Sequence, residues 1–386
     1  MLLISLTLRI HGLEKSIKME LSKSEKHHLR SNLFLYIDGI ALVPTLSFLH
    51  KHNIIKQINS KQKIDLNSLA KSLSAHSGYL AVLLRMLASQ GYIVLDNKNN
   101  EHIYFKKNDK TNELLDLSEK CSKFDNLLDI FINIDKYLFN SKSPSHGIIF
   151  ETIINEFINI SKIDQSVRTN YKLVKNIEGY IVAPIFVSMS INRFWNKDTE
   201  SIDIKSFTGN KNLFQKIVNF FKTIDFIEKE NLTFTPKGQF YLKRSSAFGV
   251  TVSYLKTFSM INELVFGKPE NLWLKTHDGL ESHVDRYMNV WGSGGAHKIY
   301  FKKIDKIILE LFNKPIEQQP LGIADMGCGD GTLLIHLFDL ITNNTERGKY
   351  LDRYPLHIVG ADYNKAARIA SRENLSSEGI KHIIID

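Results

Sequence analysis

The stretch IADMGCGDGTLL at positions 323–334 limits what the surrounding chain can fold into more than any other segment. Ile323 and Ala324 read as the end of a strand, and Thr332 to Leu340 as the start of a helix. Asp325, Gly327, Gly329 and Gly331 lie between them. A strand, a glycine-rich turn and a helix in that order make a Rossmann-like ligand loop. Without a Cβ, glycine lets the backbone turn sharply and approach a ligand closely. The N–H groups at the helix start favour a negatively charged or carboxylate-bearing ligand. A phosphate-binding P-loop needs Gly-Lys-Ser/Thr, and no lysine follows Gly331. A dinucleotide loop reads GxGxxG, whereas the spacing here is GxGxG, and Asp330 inside it repels a pyrophosphate. An inert glycine turn is the plain alternative.

A second strand with its own acid argues against inertness. In LHIVGADYNKAARIA, residues 356–370, His357 to Ala361 is strand-like, Asp362 stands at its carboxyl end, and Asn364 to Glu373 is helical. An acid in that place can accept from both ribose hydroxyls of an adenosine; otherwise it is a helix N-cap.

DMGCGDG followed by GADYN resembles the class I S-adenosylmethionine-dependent methyltransferases. The resemblance implies S-adenosyl-L-methionine as cofactor. Gly327, Gly329 and Gly331 then shape the bed for its methionine part, Asp325 faces the ammonium and Asp362 holds the ribose. The final IKHIIID becomes a third strand, with Asp386 near the adenine amine. Gly331 and Asp362 are 31 positions apart, longer than the usual ~20, so TNNTERGKYLDRYPL must form a loop beyond the first helix. With residues 277–322 and the helical front added, the chain resembles methyltransferase domains of bacterial polyketide synthases, closest to the loading-module C-methyltransferases of apratoxin-type synthases. Small-molecule O-methyltransferases with a winged-helix dimerisation domain are the nearest competitor.

The front of the chain fits that organisation. SNLFLYIDGIALVPTLSFLHKHNIIKQ, residues 31–57, has helical apolar spacing interrupted near Pro44. Next come a short helix capped by Asp65 or Asn67, a second helix from about Ser77 to Gln90 ended by Gly91, and two strands, Tyr92–Leu95 and His102–Phe105, around the turn DNKNNE. Helix, helix, hairpin is the winged-helix pattern. Residues 212–242 repeat that order in degenerate form, with strand-like Phe226–Glu228 and Leu232–Phe234. The expected fold is mixed α/β. Residues 1–30 form an N-terminal arm, 31–140 a winged-helix-like helical domain, and 141–275 a second helical, winged-helix-like lid region. Residues 276–386 form the N-terminal part of a Rossmann-like methyltransferase core. A class I core has seven strands and this sequence supplies three, so the expectation is the front of a longer enzyme.

WGSGGAH, residues 291–297, is glycine-rich. Tyr287 and Trp291 are candidate apolar cover for the cofactor; a tight turn before the helix Tyr300–Phe312 is the alternative. His297 is a weak candidate for a general base. His277, His283 and His297 match no metal-ligand spacing, so no metal is assigned.

Net charge +9 permits an anionic partner. The basic residues are dispersed, however, and the helix SGYLAVLLRMLASQ offers a DNA groove only Arg85, so nucleic acid is not the expected partner. Two distant cysteines, Cys121 and Cys328, fit the reducing cytoplasm. No apolar run approaches the ~18 residues of a membrane span, and MLLISLTLRI lacks the flanks of a signal peptide. The expected function is methylation at carbon of an acyl group on an acyl carrier protein, with polyketide synthase modules as partners and a homodimer possible. The competing readings are O-methylation, and an inactive fragment or binding module.

Overall fold

The computed structural model describes residues 20–99, 102–140, 145–275, 281–294 and 297–386. The apolar opening MLLISLTLRI, His277 and part of DNKNNE lie outside them. The chain divides into two compact units, the first ending at Gly292 and the second spanning Ser293–Asp386, each with its own hydrophobic core.

Helix α1 (Lys23–Lys51) organises the first unit. Ser22 and Glu25 form a capping box at its start: the Ser22 hydroxyl accepts from the Glu25 N–H, and the Glu25 carboxylate from the Ser22 N–H. The break expected near Pro44 does not occur, and the helix runs through it. The lost backbone bond is offset by burial, since Leu42 to Leu49 are all buried. Helix α1 is apolar and long enough by composition to cross a membrane, but 67% of that window is buried inside the fold.

There follow α2 (Ile54–Ser60), β1 (Lys63–Asp65), α3 (Leu66–Leu73), α4 (Ser77–Ser89), β2 (Ile93–Asn99) and β3 (His102–Lys107). The strands make an antiparallel sheet in the order β1-β3-β2. Asp65 caps α3 by accepting from the Ser68 N–H. Gly91, at φ +81°, ends α4, with the Tyr92 N–H donating back to the Leu87 carbonyl. Helix, helix and hairpin occur here in the expected order, with a third short strand added. Helices α5 (Leu114–Ser122), α6 (Leu127–Ile132) and α7 (Ser145–Ser161) lead to α8 (Arg168–Ile191), which also continues through an internal proline, Pro184.

Helices α1 and α8 cross at glycine. A Cβ on Gly39 would lie 2.0 Å from the Asn176 carbonyl oxygen, and one on Gly179 would lie 2.2 Å from the Tyr36 Cα. Beside the crossing, buried Glu178 accepts from the Tyr36 hydroxyl and pairs with Lys175 at 2.6 Å and Lys237 at 3.8 Å. The second winged-helix-like unit comprises α9 (Lys211–Thr223) and α10 (Pro236–Leu242). Its expected strands shrink to isolated bridges, Ser201 with Thr233 and Ile227 with Phe234. The aromatic side chains in that stretch do not build a ladder. Phe221 and Phe226 pack with Phe186, Phe234 packs on Trp195, and Phe207 and Phe214 pack with Phe194 in the helical core instead. Helices α11 (Ser246–Ser253), α12 (Leu255–Ser259) and α13 (Ile261–Phe266) complete this part, and α14 (Arg286–Gly294) crosses the boundary between the units.

The second unit holds α15 (His297–Phe312), β4 (Gly322–Met326), α16 (Thr332–Asn344), β5 (His357–Ala361), α17 (Lys365–Ser377) and β6 (His382–Ile385). The strands are parallel in the order β4-β5-β6, with Ala324, Val359 and Ile383 in one row and Met326, Ala361 and Ile385 in the row two residues further on. The alternate positions Ile323, Ile358 and Ile384 pack against Ile308 and Phe312 of α15, Leu334 and Leu337 of α16, and Leu375 of α17. On the opposite face Met326 is 78% exposed and Ile383 59%, unusual for a parallel sheet. The result is mixed α/β: a helical front with winged-helix-like parts, then a small Rossmann-like parallel sheet.

The long connection between α16 and β5 is fixed by one buried cation. Arg347 Nε donates to the Tyr354 carbonyl at 2.9 Å, and its Nη atoms reach the carbonyls of Pro320, Leu321 and Pro355 at 3.1–3.4 Å. The loop predicted between the first helix and the second strand is therefore an ordered strap tied to the entry of β4.

Candidate functional site

The glycine loop leaves the carboxyl end of β4 and enters α16 in a conformation reserved for glycine. Gly327, Gly329 and Gly331 have φ of +88°, +56° and +83°. A Cβ on Gly327 or Gly329 would meet nothing within 4 Å, so the loop presents an open bed at these two positions. Gly331 differs: a Cβ there would lie 2.9 Å from the Ser371 hydroxyl of α17, so this glycine serves close packing of loop on helix.

The bed is fastened to the second strand. The Gly327 and Cys328 N–H groups both donate to the Ala361 carbonyl, at 2.7 and 3.0 Å. The Gly329 N–H donates to Asp362 Oδ2 at 3.0 Å. Asn374 of α17 donates to the Asp330 carbonyl at 2.9 Å. Cys328 is buried beneath the loop, Sγ 3.8 Å from the Ser371 hydroxyl, and burial pushes its thiol pKa up.

These bonds alter one sequence expectation. The helix start does not offer all its N–H groups to an anion. Asp330 Oδ1 accepts from both the N–H and the hydroxyl of Thr332, at 3.0 and 2.7 Å, and the Gly331 N–H donates to Cys328. The loop supplies its own carboxylate at the positive end of α16. An open, smooth bed that carries its own carboxylate and has two of those N–H groups engaged suits a ligand carrying positive charge better than a phosphate.

Asp362 has two structural partners, Gly329 N–H on Oδ2 and Asn364 N–H on Oδ1 at 2.8 Å. Each carboxylate oxygen has a second lone pair, so holding the loop and accepting from a ribose are compatible. Asp325, at the penultimate position of β4, is half-buried. The structure thus brings Asp325, Gly327, Gly329, Gly331 and Asp362 together at the carboxyl ends of adjacent parallel strands, where ligands of open α/β sheets bind. For an S-adenosylmethionine-sized ligand, the observation that bears on fit is the empty Cβ space at Gly327 and Gly329.

Tyr287 and Trp291 stand on α14 in the first unit. Tyr287 is 69% exposed, and Trp291 is half-buried against the first unit's core. The glycine-rich turn expected at WGSGGAH is helical through Gly294, while residues 295 and 296 lie outside the described residues. The physical reason is close packing: Gly292 and Gly249 approach so nearly that a Cβ on Gly249 would sit 2.7 Å from the Gly292 Cα. His297 begins α15, but its side chain lies outside the described residues. His283 is described; its Nε2 lies 3.9 Å from Glu281, and its buried Nδ1 has no hydrogen-bond partner among the described residues.

Sequence reasoning missed Arg368, Ser371 and Asn374, which carry the α17 side of the site. The spacing 368, 371, 374 was a signal, since residues three apart are neighbours on one side of a helix.

Three family models match, in chain order. One described as the AprA N-terminal domain covers residues 29–95, one described as the AprA winged helix domain covers 178–268, and one described as the AprA MT2-like domain, a methyltransferase model, covers 281–386. No curated protein matches the chain. The likeness to apratoxin-type synthase methyltransferases therefore extends over the helical front as well as the glycine loop, and the glycine loop and Asp362 both fall within the methyltransferase match.

Proposed function

We propose that the chain binds S-adenosyl-L-methionine on the glycine loop and methylates the carbon between the carbonyls of a β-ketoacyl or malonyl group tethered to an acyl carrier protein. The observation that carries this reading is the pair of open positive-φ glycines, Gly327 and Gly329, locked to Asp362 at adjoining strand ends. They lie inside the segment matched by a methyltransferase model. The MT2-like and front-domain matches support a polyketide synthase setting.

The bound cofactor supplies an electrophilic methyl on a sulfonium. The chain's part is placement. Gly327 and Gly329 admit the methionine portion, Asp325 faces its ammonium, and Asp362 accepts from the ribose while keeping the loop in register. The acceptor carbon must lose a proton to become a nucleophile, and His297 is the residue proposed as that base. Two buried free thiols, Cys121 and Cys328, support a reducing cytoplasmic setting.

The test is mass spectrometry of acetoacetyl and malonyl carrier proteins after incubation with the purified chain and S-adenosylmethionine. Gain of one methyl on the acyl group, absent for the same acyl group on free pantetheine, supports the reading. Methylation of small hydroxyl compounds instead would favour the O-methyltransferase alternative. No transfer to either, with no cofactor bound, would leave a binding module.

A further inference from the structure

We infer that Arg368 positions the adenine end of the cofactor site, by holding the carboxyl ends of β5 and β6 in one arrangement and orienting Asp386 within it. The inference rests on the cofactor reading above. Arg368 lies one turn into α17, and its side chain is 14% exposed. Its Nη1 donates to the carbonyls of Asp362 at 2.5 Å and Tyr363 at 2.9 Å, and to Asp386 Oδ1 at 2.6 Å. One guanidinium thus ties the residue proposed to hold the ribose to the acid beyond the next strand. One turn later, Arg372 donates to the Ile384 carbonyl at 3.0 Å, and the Asp362 N–H reaches the Ile385 carbonyl at 3.3 Å. Together these bonds fix the two strand ends against each other. Asp386 is itself 73% exposed. A carboxylate that open would sample many directions without a partner, and Arg368 limits it to one. Held this way, Asp386 keeps a second oxygen to accept from an exocyclic amine. Arg368 touches no ligand atom in this role, so it is a positioning residue.

The discriminating readout is base selectivity. Calorimetry compares S-adenosylhomocysteine with S-inosylhomocysteine, in which a carbonyl replaces the adenine amine, for wild type, Arg368→Met, Arg368→Lys and Asp386→Asn. A site that hydrogen-bonds an amine rejects the analogue lacking it. Wild type should prefer the adenine form by about tenfold or more. Arg368→Met should narrow that preference to about threefold or less, with Arg368→Lys between the two. Asp386→Asn leaves the carbonyl contacts of Arg368 in place and should narrow it similarly, so an unfolded Arg368→Met does not decide the matter. Equal weakening of both ligands in Arg368→Met, or unchanged selectivity in a folded Asp386→Asn, overturns the positioning role and leaves the cofactor reading intact. Wild type binding neither ligand overturns both.

Discussion

Arg347 shows how one side chain can decide the order of a long insertion. Its guanidinium is buried among carbonyls of two chain segments, 320–321 and 354–355, with no carboxylate partner among the described residues. Replacement by methionine keeps the bulk and strands those acceptors, at a cost of about 3 kcal/mol. Urea unfolding should show that loss. Arg347→Lys should recover little of it, because an ammonium cannot span the same fork of acceptors; equal stability of the lysine variant and wild type would contradict this account. Asp135 makes the opposite case, a carboxylate placed where ionisation costs stability. Burial raises its pKa, hydrogen bonds from Ser188 and Asn192 lower it, and the Asp285 charge raises it further; burial is the largest of these effects, and the net shift is upward. A raised folded pKa means the folded state binds the proton more tightly than the unfolded chain. The penalty is therefore absent below the unfolded carboxylate value near 3.9 and complete above the raised folded value. Asp135→Asn should melt higher than wild type at pH 7, and the gap should close as pH falls toward about 4. A gap independent of pH would refute the assignment. Neither residue stood out in the sequence, because buried charge is a property of tertiary neighbours.

Among the elements, those with strong local signals were legible and those decided by packing were not. The glycine loop, the two strands flanking it, the Asp65 cap and the Gly91 stop each follow from backbone preferences of the residues present. Pro44 misled because a helix buried against α8 tolerates a missing bond that an exposed helix would not. The strand-like aromatics after α9 misled because alternating aromatic residues serve a helical core as well as a sheet. The glycines at 292 and 294 read as a turn but belong to a helix whose close approach to α11 requires one of them. The site was half visible. Asp325, the three loop glycines and Asp362 were found from strand–turn–helix context, whereas the α17 residues that brace them sit in an ordinary polar helix. The register of β6 gives a sharp test at this scale. Ile384 is 8% exposed and faces α15–α17, and its neighbour Ile383 is 59% exposed on the other face. Ile384→Ala should cost about 3 kcal/mol and Ile383→Ala about 0.5 kcal/mol or less, read from denaturant midpoints. Equal costs would mean the strand is displaced by one residue, since such a slip exchanges the faces.

At the scale of the molecule, the chain forms two units, each with its own core. The second unit holds the loop proposed for the cofactor, and the first holds the winged-helix-like front and the α14 aromatics. The domain matches follow one another along the chain in the order N-terminal domain, winged helix and methyltransferase. The central claim is that the loop between β4 and α16 is a bed for S-adenosylmethionine, held open by Gly329 and aligned by Asp362. A calorimetric titration of the 386-residue chain with S-adenosylmethionine tests it most directly, run beside Gly329→Val and Asp362→Ala. The account predicts saturable one-site binding by wild type. Gly329→Val should weaken binding by about tenfold or more, because a branched Cβ at φ +56° both strains the loop and fills the open space. Asp362→Ala should weaken it by a similar factor, through loss of the ribose acceptor and of the loop anchor. A folded, monodisperse wild-type chain that gives no heat of binding, or variants that bind as tightly as wild type, would contradict the claim.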